Sequence, residues 1–192
     1  MIPAHNQSGV LPPFVPGATP VDRGATAPYP VSLIDIAHRF ATNEKRVQIL
    51  HGLTSYRKAL REVGIVEGFQ WLDGSFVEKV ESTRGRPPND IDIVTFSYRP
   101  KESKEANDWR QLIHSRPDLF DPEVSKKHYH CDAYFVDMSV HPRLLVDQTK
   151  YWFGLFSHQR ETYLWKGMLE VSLQEDESDL ITFLREGDRH AT

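Results

Sequence analysis

Residues 90–96, Asp-Ile-Asp-Ile-Val-Thr-Phe, constrain the fold more than any other stretch of the chain. Polar and apolar side chains alternate there at the period of two that a β-strand imposes, then give way to an almost wholly apolar run. Such a run is at home in a sheet covered by helices, and the two acids make its start the functional end. The 192 residues, 39% hydrophobic and 26% charged, suit one compact α/β domain and leave little room for a second.

Several classes are disfavoured by composition. No run approaches the ~18 consecutive apolar residues of a membrane span. The first residues, Met1 to Gly17, lack the basic start and apolar core of a secretory leader. Cys131 is the single cysteine, so no internal disulfide forms and the expected location is the reducing cytoplasm. With 23 basic and 27 acidic side chains the net charge is −4, so a grip on long nucleic acid would have to rest on local patches.

Seven of the thirteen prolines fall within the first thirty residues. Residues 1–30 therefore read as a proline-rich arm, disordered or loosely draped, with Val10, Leu11, Phe14, Val15 and Tyr29 as apolar anchors. The folded domain spans 31–192. Ser32-Leu33-Ile34-Asp35 has the form of a capping box opening a short helix to about Phe40. Val47, Leu50, Leu53, Leu60 and Val63 recur at helical steps and predict a helix over 43–63, ended by Gly64, with Arg57, Lys58 and Arg61 turned to solvent or a ligand. A strand over 69–72, the turn Asp73-Gly74-Ser75, a helix opening over 76–80 and a loop over 82–89 lead to the strand at 90–96. Beyond it we expect a helix over 103–115, a strand over 128–138, a helix over 143–160, a strand over 164–173 and a short helix over 178–185. Glu175-Asp176-Glu177 reads as a solvated turn and helix start. The polar tail from Gly187 to Thr192 reads as a frayed terminus whose last hydroxyl is also a candidate acceptor for self-modification.

Asp90 and Asp92 project from the same face of their strand, roughly 6 to 7 Å apart along it. Two acids at the start of an apolar strand must take up protons or find cations, and a hard divalent ion bound through carboxylates and substrate phosphates meets that need. Fourteen residues separate Ser75 from Asp90. Gly74-Ser75 stands between a strand and a helix, where glycine lets a phosphate approach the backbone and unpaired N–H groups face it.

On Leu72-Asp73-Gly74-Ser75 and Asp90-Ile91-Asp92-Ile93 the sequence resembles the DNA polymerase β-like nucleotidyltransferase superfamily, and small stand-alone bacterial members of it in particular. Asp73 directly before the glycine, and a spacer slightly longer than usual, depart from the family pattern. The resemblance covers roughly residues 45–140 and implies a minimal nucleotidyltransferase domain, a mixed twisted sheet with helices mainly on one side. It implies Mg²⁺ or Mn²⁺, two ions, held by Asp90, Asp92 and a third acid, Asp132, with Asp137 as the alternative on the same segment. Asp132 would bind the ion nearest the acceptor hydroxyl. Gly74 and Ser75 would hold the β- and γ-phosphates of a nucleoside triphosphate, and a nucleoside monophosphate would pass to a hydroxyl on a protein, a nucleic-acid 3′ end or another nucleotide, releasing pyrophosphate. Similarity of the segment 151–167 to small bacterial proteins of this superfamily extends the expectation to antiphage defence or a toxin–antitoxin pair, with a protein partner from a neighbouring gene.

Other residues invite separate readings. His128-Tyr129-His130-Cys131-Asp132 spells His-x-His-x-Asp, which on a strand would put three zinc-type ligands on one face, although Ala133 stands where a further histidine usually follows. Cys131 has no ordered nucleophile partner and reads as packing. Among Trp109, Tyr151, Trp152, Phe153, Phe156, Tyr163 and Trp165, one aromatic ring is available to stack a base while the rest form core. Lys166 can reach a phosphate or snorkel to solvent. The competing class is a non-catalytic module of the same fold, antitoxin-like, acting on a partner protein.

Overall fold

The computed structural model of the chain describes residues 1–19 and 21–190, with side chains placed as far as residue 187. Pro20 of the arm and the Thr192 hydroxyl lie outside the described residues. Along the chain run β1 (Tyr29–Pro30), α1 (Leu33–Phe40), α2 (Glu44–Glu62), β2 (Gly68–Asp73), α3 (Val80–Arg84), β3 (Ile91–Ser97), α4 (Ala106–Ser115), α5 (Pro117–Phe120), α6 (Pro122–Tyr129), β4 (Cys131–Asp137), α7 (Pro142–Phe156), β5 (Leu169–Ser172) and α8 (Ser178–His190). The five strands form one mixed sheet in the order β1-β5-β2-β3-β4. β2 is antiparallel to both β3 and β5, whereas β3 with β4 and β5 with β1 are parallel. The parallel β3–β4 pair needs a crossover, and α4, α5 and α6 supply it.

Alternation along the strands assigns the two faces. Leu72, Ile91, Ile93, Cys131, Ala133, Leu169 and Val171 pack with α1, α2, α5 and α8 into the larger core. Trp71, Val94, Phe96 and Val136 point the other way and are covered by α7 through Leu145, Trp152, Leu155 and Phe156. Both faces are therefore covered, and the residues of β3 from Ile93 onward are buried without a break.

The capping box forms as expected: Ser32 accepts from the Asp35 N–H at 3.2 Å and Asp35 accepts from the Ser32 N–H at 3.5 Å. α2 opens on Asn43, whose side chain accepts from the Arg46 N–H, and ends one residue before Val63. The arm, in contrast, is packed rather than loosely draped. Val10 and Leu11 are fully buried, Tyr29 donates its hydroxyl to the Pro12 carbonyl at 2.7 Å, and β1 extends the sheet beside β5. Prolines exclude a long strand there but not burial of the apolar side chains between them.

Two charged residues expected at the surface, Arg57 and Glu177, are inside, and a third, Glu175, is partly buried. Arg57 is 2% exposed, donating to Glu177 at 3.0 Å, to Gln70 at 2.7 Å and to the carbonyls of Ser172 and Glu175. Glu177 is buried by the same contact, and Glu175 accepts from the Leu33 N–H at 2.8 Å. Glu175 and Glu177 thus clamp α1, α2 and α8 together rather than facing solvent, while Asp176 between them is exposed and accepts from the Ser178 N–H at the start of α8. The largest departure is α6, which takes up the first residues of the expected strand, so that β4 begins only at Cys131. His130 turns the chain between them in the left-handed conformation, φ 55°.

Candidate active site

Where β2 ends and β3 and β4 begin, three acids stand in one row. Asp73 is paired in register with Asp92, and Asp92 with Asp132. Each belongs to the strand face that packs under α7, and Asp90, two residues before Asp92, shares that face. Beyond the end of α7 this face opens into a cavity of about 280 Å³ lined by all four acids together with Gly74, Ser75 and Lys166. Asp137 lies at the far end of β4, paired with Arg99 at 2.7 Å, so Asp132 is the third acid of the cavity.

Gly74 begins a 3-10 turn, Gly74–Val77, in place of the expected α-helical opening. The turn is gripped from two sides. Arg46, buried on α2, donates to the carbonyls of Phe76 at 2.6 Å and Glu78 at 2.7 Å. Lys166, 4% exposed, sits on the other side with its ammonium 2.9 Å from Glu78, 3.1 Å from Asp73 and 3.5 Å from the Gly74 carbonyl. Burial pulls the Lys166 ammonium down, but the Asp73 and Glu78 carboxylates outweigh it and hold the group above its usual range. Neither snorkelling nor a free phosphate-binding ammonium describes this lysine: it neutralises acids beneath the turn.

The acids repel one another. Asp92 is pushed up to about 6, by burial first and then by the charges of Asp90 and Asp132. Burial pushes Asp73 up to about 7 despite Lys166, and its Oδ1 is buried with no hydrogen-bond partner. An all-oxygen set of crowded carboxylates with an unpartnered buried oxygen fits a hard divalent cation. Among the described residues, however, no group of three or more His, Cys, Asp or Glu side chains stands ready-made around a cation position. The Lys126 ammonium stands at the acids instead, 2.6 Å from Asp90 and 3.7 Å from Asp132. Around the mouth are Arg84, bonded to Glu78 at 3.5 Å, and the exposed Arg86 and Arg160.

The zinc reading fails on secondary structure. His128 is in the last turn of α6 and His130 in the left-handed turn after it, so the strand alternation that would align them with Asp132 is absent. Burial holds the Cys131 thiol well above its usual range, and it donates to the Tyr129 carbonyl at 3.3 Å, which leaves it inert packing. Of the aromatic residues singled out, Phe156 lines the cavity, whereas Trp109 packs against Phe120 and Phe135 and Trp152 against Tyr134. Asp73, Glu78 and Lys126 escaped the sequence reading. Asp73 was findable, because an antiparallel β2–β3 pair with Trp71 facing Val94 places Asp73 opposite Asp92. Lys126 was hidden with α6.

The fold and site define a mixed α/β protein with a carboxylate-floored, arginine-rimmed cavity at one end of a five-stranded sheet. The family model DUF6932, described as a family of unknown function, matches residues 3–172, and the chain belongs to that family. No curated protein and no solved structure matches it. Among the described residues no helix is long and apolar enough to cross a membrane.

Proposed function

We propose that the protein is a metal-dependent nucleotidyltransferase of the polymerase β-like kind, moving a nucleoside monophosphate from an NTP or dNTP to a hydroxyl. The observation that carries this reading is the in-register row Asp73–Asp92–Asp132 beside Gly74. Support comes also from the connections: a glycine-serine turn between two antiparallel strands, then a helical crossover to a parallel strand bearing the third acid.

Asp90, Asp92 and Asp132 are the residues that would hold two Mg²⁺ or Mn²⁺ ions, whose chemistry there is to neutralise phosphate charge and make an acceptor hydroxyl more acidic. Gly74 and Ser75 offer the backbone of a tight turn to the phosphates. Arg84, Arg86 and Arg160 place positive charge where a polyphosphate would enter. In the transfer the acceptor oxygen forms a bond to the α-phosphorus as the bond from that phosphorus to the β-bridging oxygen breaks. Pyrophosphate leaves with the bridging oxygen, and the hydroxyl proton passes to Asp132 or solvent. The acceptor is a protein side chain, a nucleic-acid 3′ end or a second nucleotide, and a defence or toxin–antitoxin role belongs to the same proposal.

A crystal structure soaked with Mn²⁺ and a non-hydrolysable NTP tests the reading. Metal density against Asp90 and Asp92 with phosphates beside Gly74 is expected; a nucleotide bound elsewhere would contradict it.

A second reading, a non-catalytic module that binds a partner protein, draws on α7. Its Leu144, Val146, Tyr151 and Phe153 are exposed, as is Trp165 nearby. Absence of any turnover, together with tight binding to a neighbouring gene's product, would favour it.

A further inference from the structure

We infer that Lys126 is the resident cation of the acid cluster, which a divalent ion must displace, and that its displaced ammonium then serves a polyphosphate at the cavity mouth. This rests on the metal site of the proposed function and adds to it a residue that couples metal to nucleotide.

The backbone that carries Lys126 is fixed. The Lys126 carbonyl accepts from the His130 N–H at 3.0 Å, closing the end of α6. Next to it the fully buried Ser125 hydroxyl donates to the Cys131 carbonyl at 2.8 Å, tying α6 to β4. α2 presses on the same corner, since a Cβ on Gly52 would stand 1.8 Å from the Tyr129 carbonyl oxygen. The side chain, by contrast, is 49% exposed and spans from this fixed corner to Asp90 and Asp132. A rigid base and a half-exposed four-carbon stem let the ammonium swing without any change in the fold.

Charge accounts for its present position. Asp90, Asp92 and Asp132 crowd into one cavity, with Asp92 and Asp132 paired in register. The buried cation nearby, Lys166, is already committed to Asp73 and Glu78. Arg84 is shared between Glu78 and Glu161. Lys126 therefore meets the charge left on Asp90 and Asp132, which lie 2.6 and 3.7 Å from its ammonium. A divalent ion competing for those oxygens must break that contact, so its apparent affinity is lowered by the internal competitor. A polyphosphate that accepts the displaced ammonium removes the competition, and metal and nucleotide bind better together than apart.

Mn²⁺ binding to the full chain, followed by the free-ion electron paramagnetic resonance signal, tests this without turnover. Lys126→Met is expected to bind Mn²⁺ about tenfold more tightly than wild type in the absence of nucleotide. Lys126→Arg, which keeps the charge, is expected to stay close to wild type, and a thermal melt checks that both variants fold. Equal or weaker Mn²⁺ affinity in Lys126→Met, with wild type binding normally, would overturn the role of Lys126 and leave the metal site standing. No Mn²⁺ taken up by wild type or either variant would overturn both.

Discussion

A Cβ built on Gly74 would stand 2.1 Å from Asp92 Oδ2, so the turn and the carboxylate fit together only because residue 74 has no side chain. The Gly74 backbone, at φ +80°, is also one that L side chains rarely adopt. Turn and acid are one unit, since the residue that opens the turn also packs directly against the acid beneath it.

Gly74→Ala is accordingly expected to disturb the site and the fold together. Left-handed strain and the clash with Asp92 should lower stability by about 1 to 3 kcal/mol and abolish Mn²⁺ binding. Urea denaturation reads the first effect and metal titration the second. Wild-type metal affinity in this variant would show that the close approach does not matter.

Asp92→Asn should separate stability from activity. The raised Asp92 carboxyl means that its ionised form opposes folding at neutral pH. Without metal the variant is expected to be more stable than wild type by about 1 kcal/mol at pH 7, while nucleotide transfer falls at least about 100-fold. Paired thermal melts and transfer assays decide this, and a variant that is both less stable and fully active would contradict it.

Arg57 and Arg61 both reach Glu177 at 3.0 Å, yet they should differ in weight. Arg57→Ala leaves Glu177 and Gln70 buried without their main partner and is expected to destabilise by about 3 to 5 kcal/mol. Arg61, partly exposed, should contribute below about 1 kcal/mol. Comparable losses in chemical denaturation would show that Arg57 is not the centre of the clamp.

The acid limb of stability should report on Glu81. The Arg46 hydrogen bond holds its carboxyl down at about 2, from an ordinary 4.5. A depressed carboxyl contributes stability above its unfolded value, and that contribution disappears as pH falls from 4.5 to about 2. Because Glu81 is partly exposed, Glu81→Gln is expected to remove about 1 kcal/mol at pH 7 and none near pH 2. Stability curves of the two proteins that stay parallel across this range would refute the assignment.

Much of the site was legible because local rules govern it. The period of two brings Asp90 and Asp92 to one face, glycine marks the turn at Gly74, and Asp132 stands in register with Asp92 as the third acid. Asp132 and Asp137 were indistinguishable until strand pairing separated the two ends of β4. What escaped depends on tertiary contacts. α6 is held by Ser125, Gly52 and the His130 turn, none of which has a periodic signature, and without it the histidines read as strand neighbours of Asp132 and Lys126 stayed concealed. Arg57 looked solvent-facing because only distant residues, Glu177 among them, make its burial tolerable. Val10 and Leu11 looked like a loose arm because proline content says nothing of which apolar pocket awaits them.

The most direct measurement is release of pyrophosphate from each of the NTPs and dNTPs, incubated with purified protein and Mg²⁺ or Mn²⁺, with transfer of the label to an acceptor or to the protein itself followed in parallel. Release from at least one nucleotide by wild type, and none by Asp90→Ala or Asp92→Ala, is expected. Equal release by wild type and Asp92→Ala, or none from any nucleotide with either metal and any acceptor class, would contradict it.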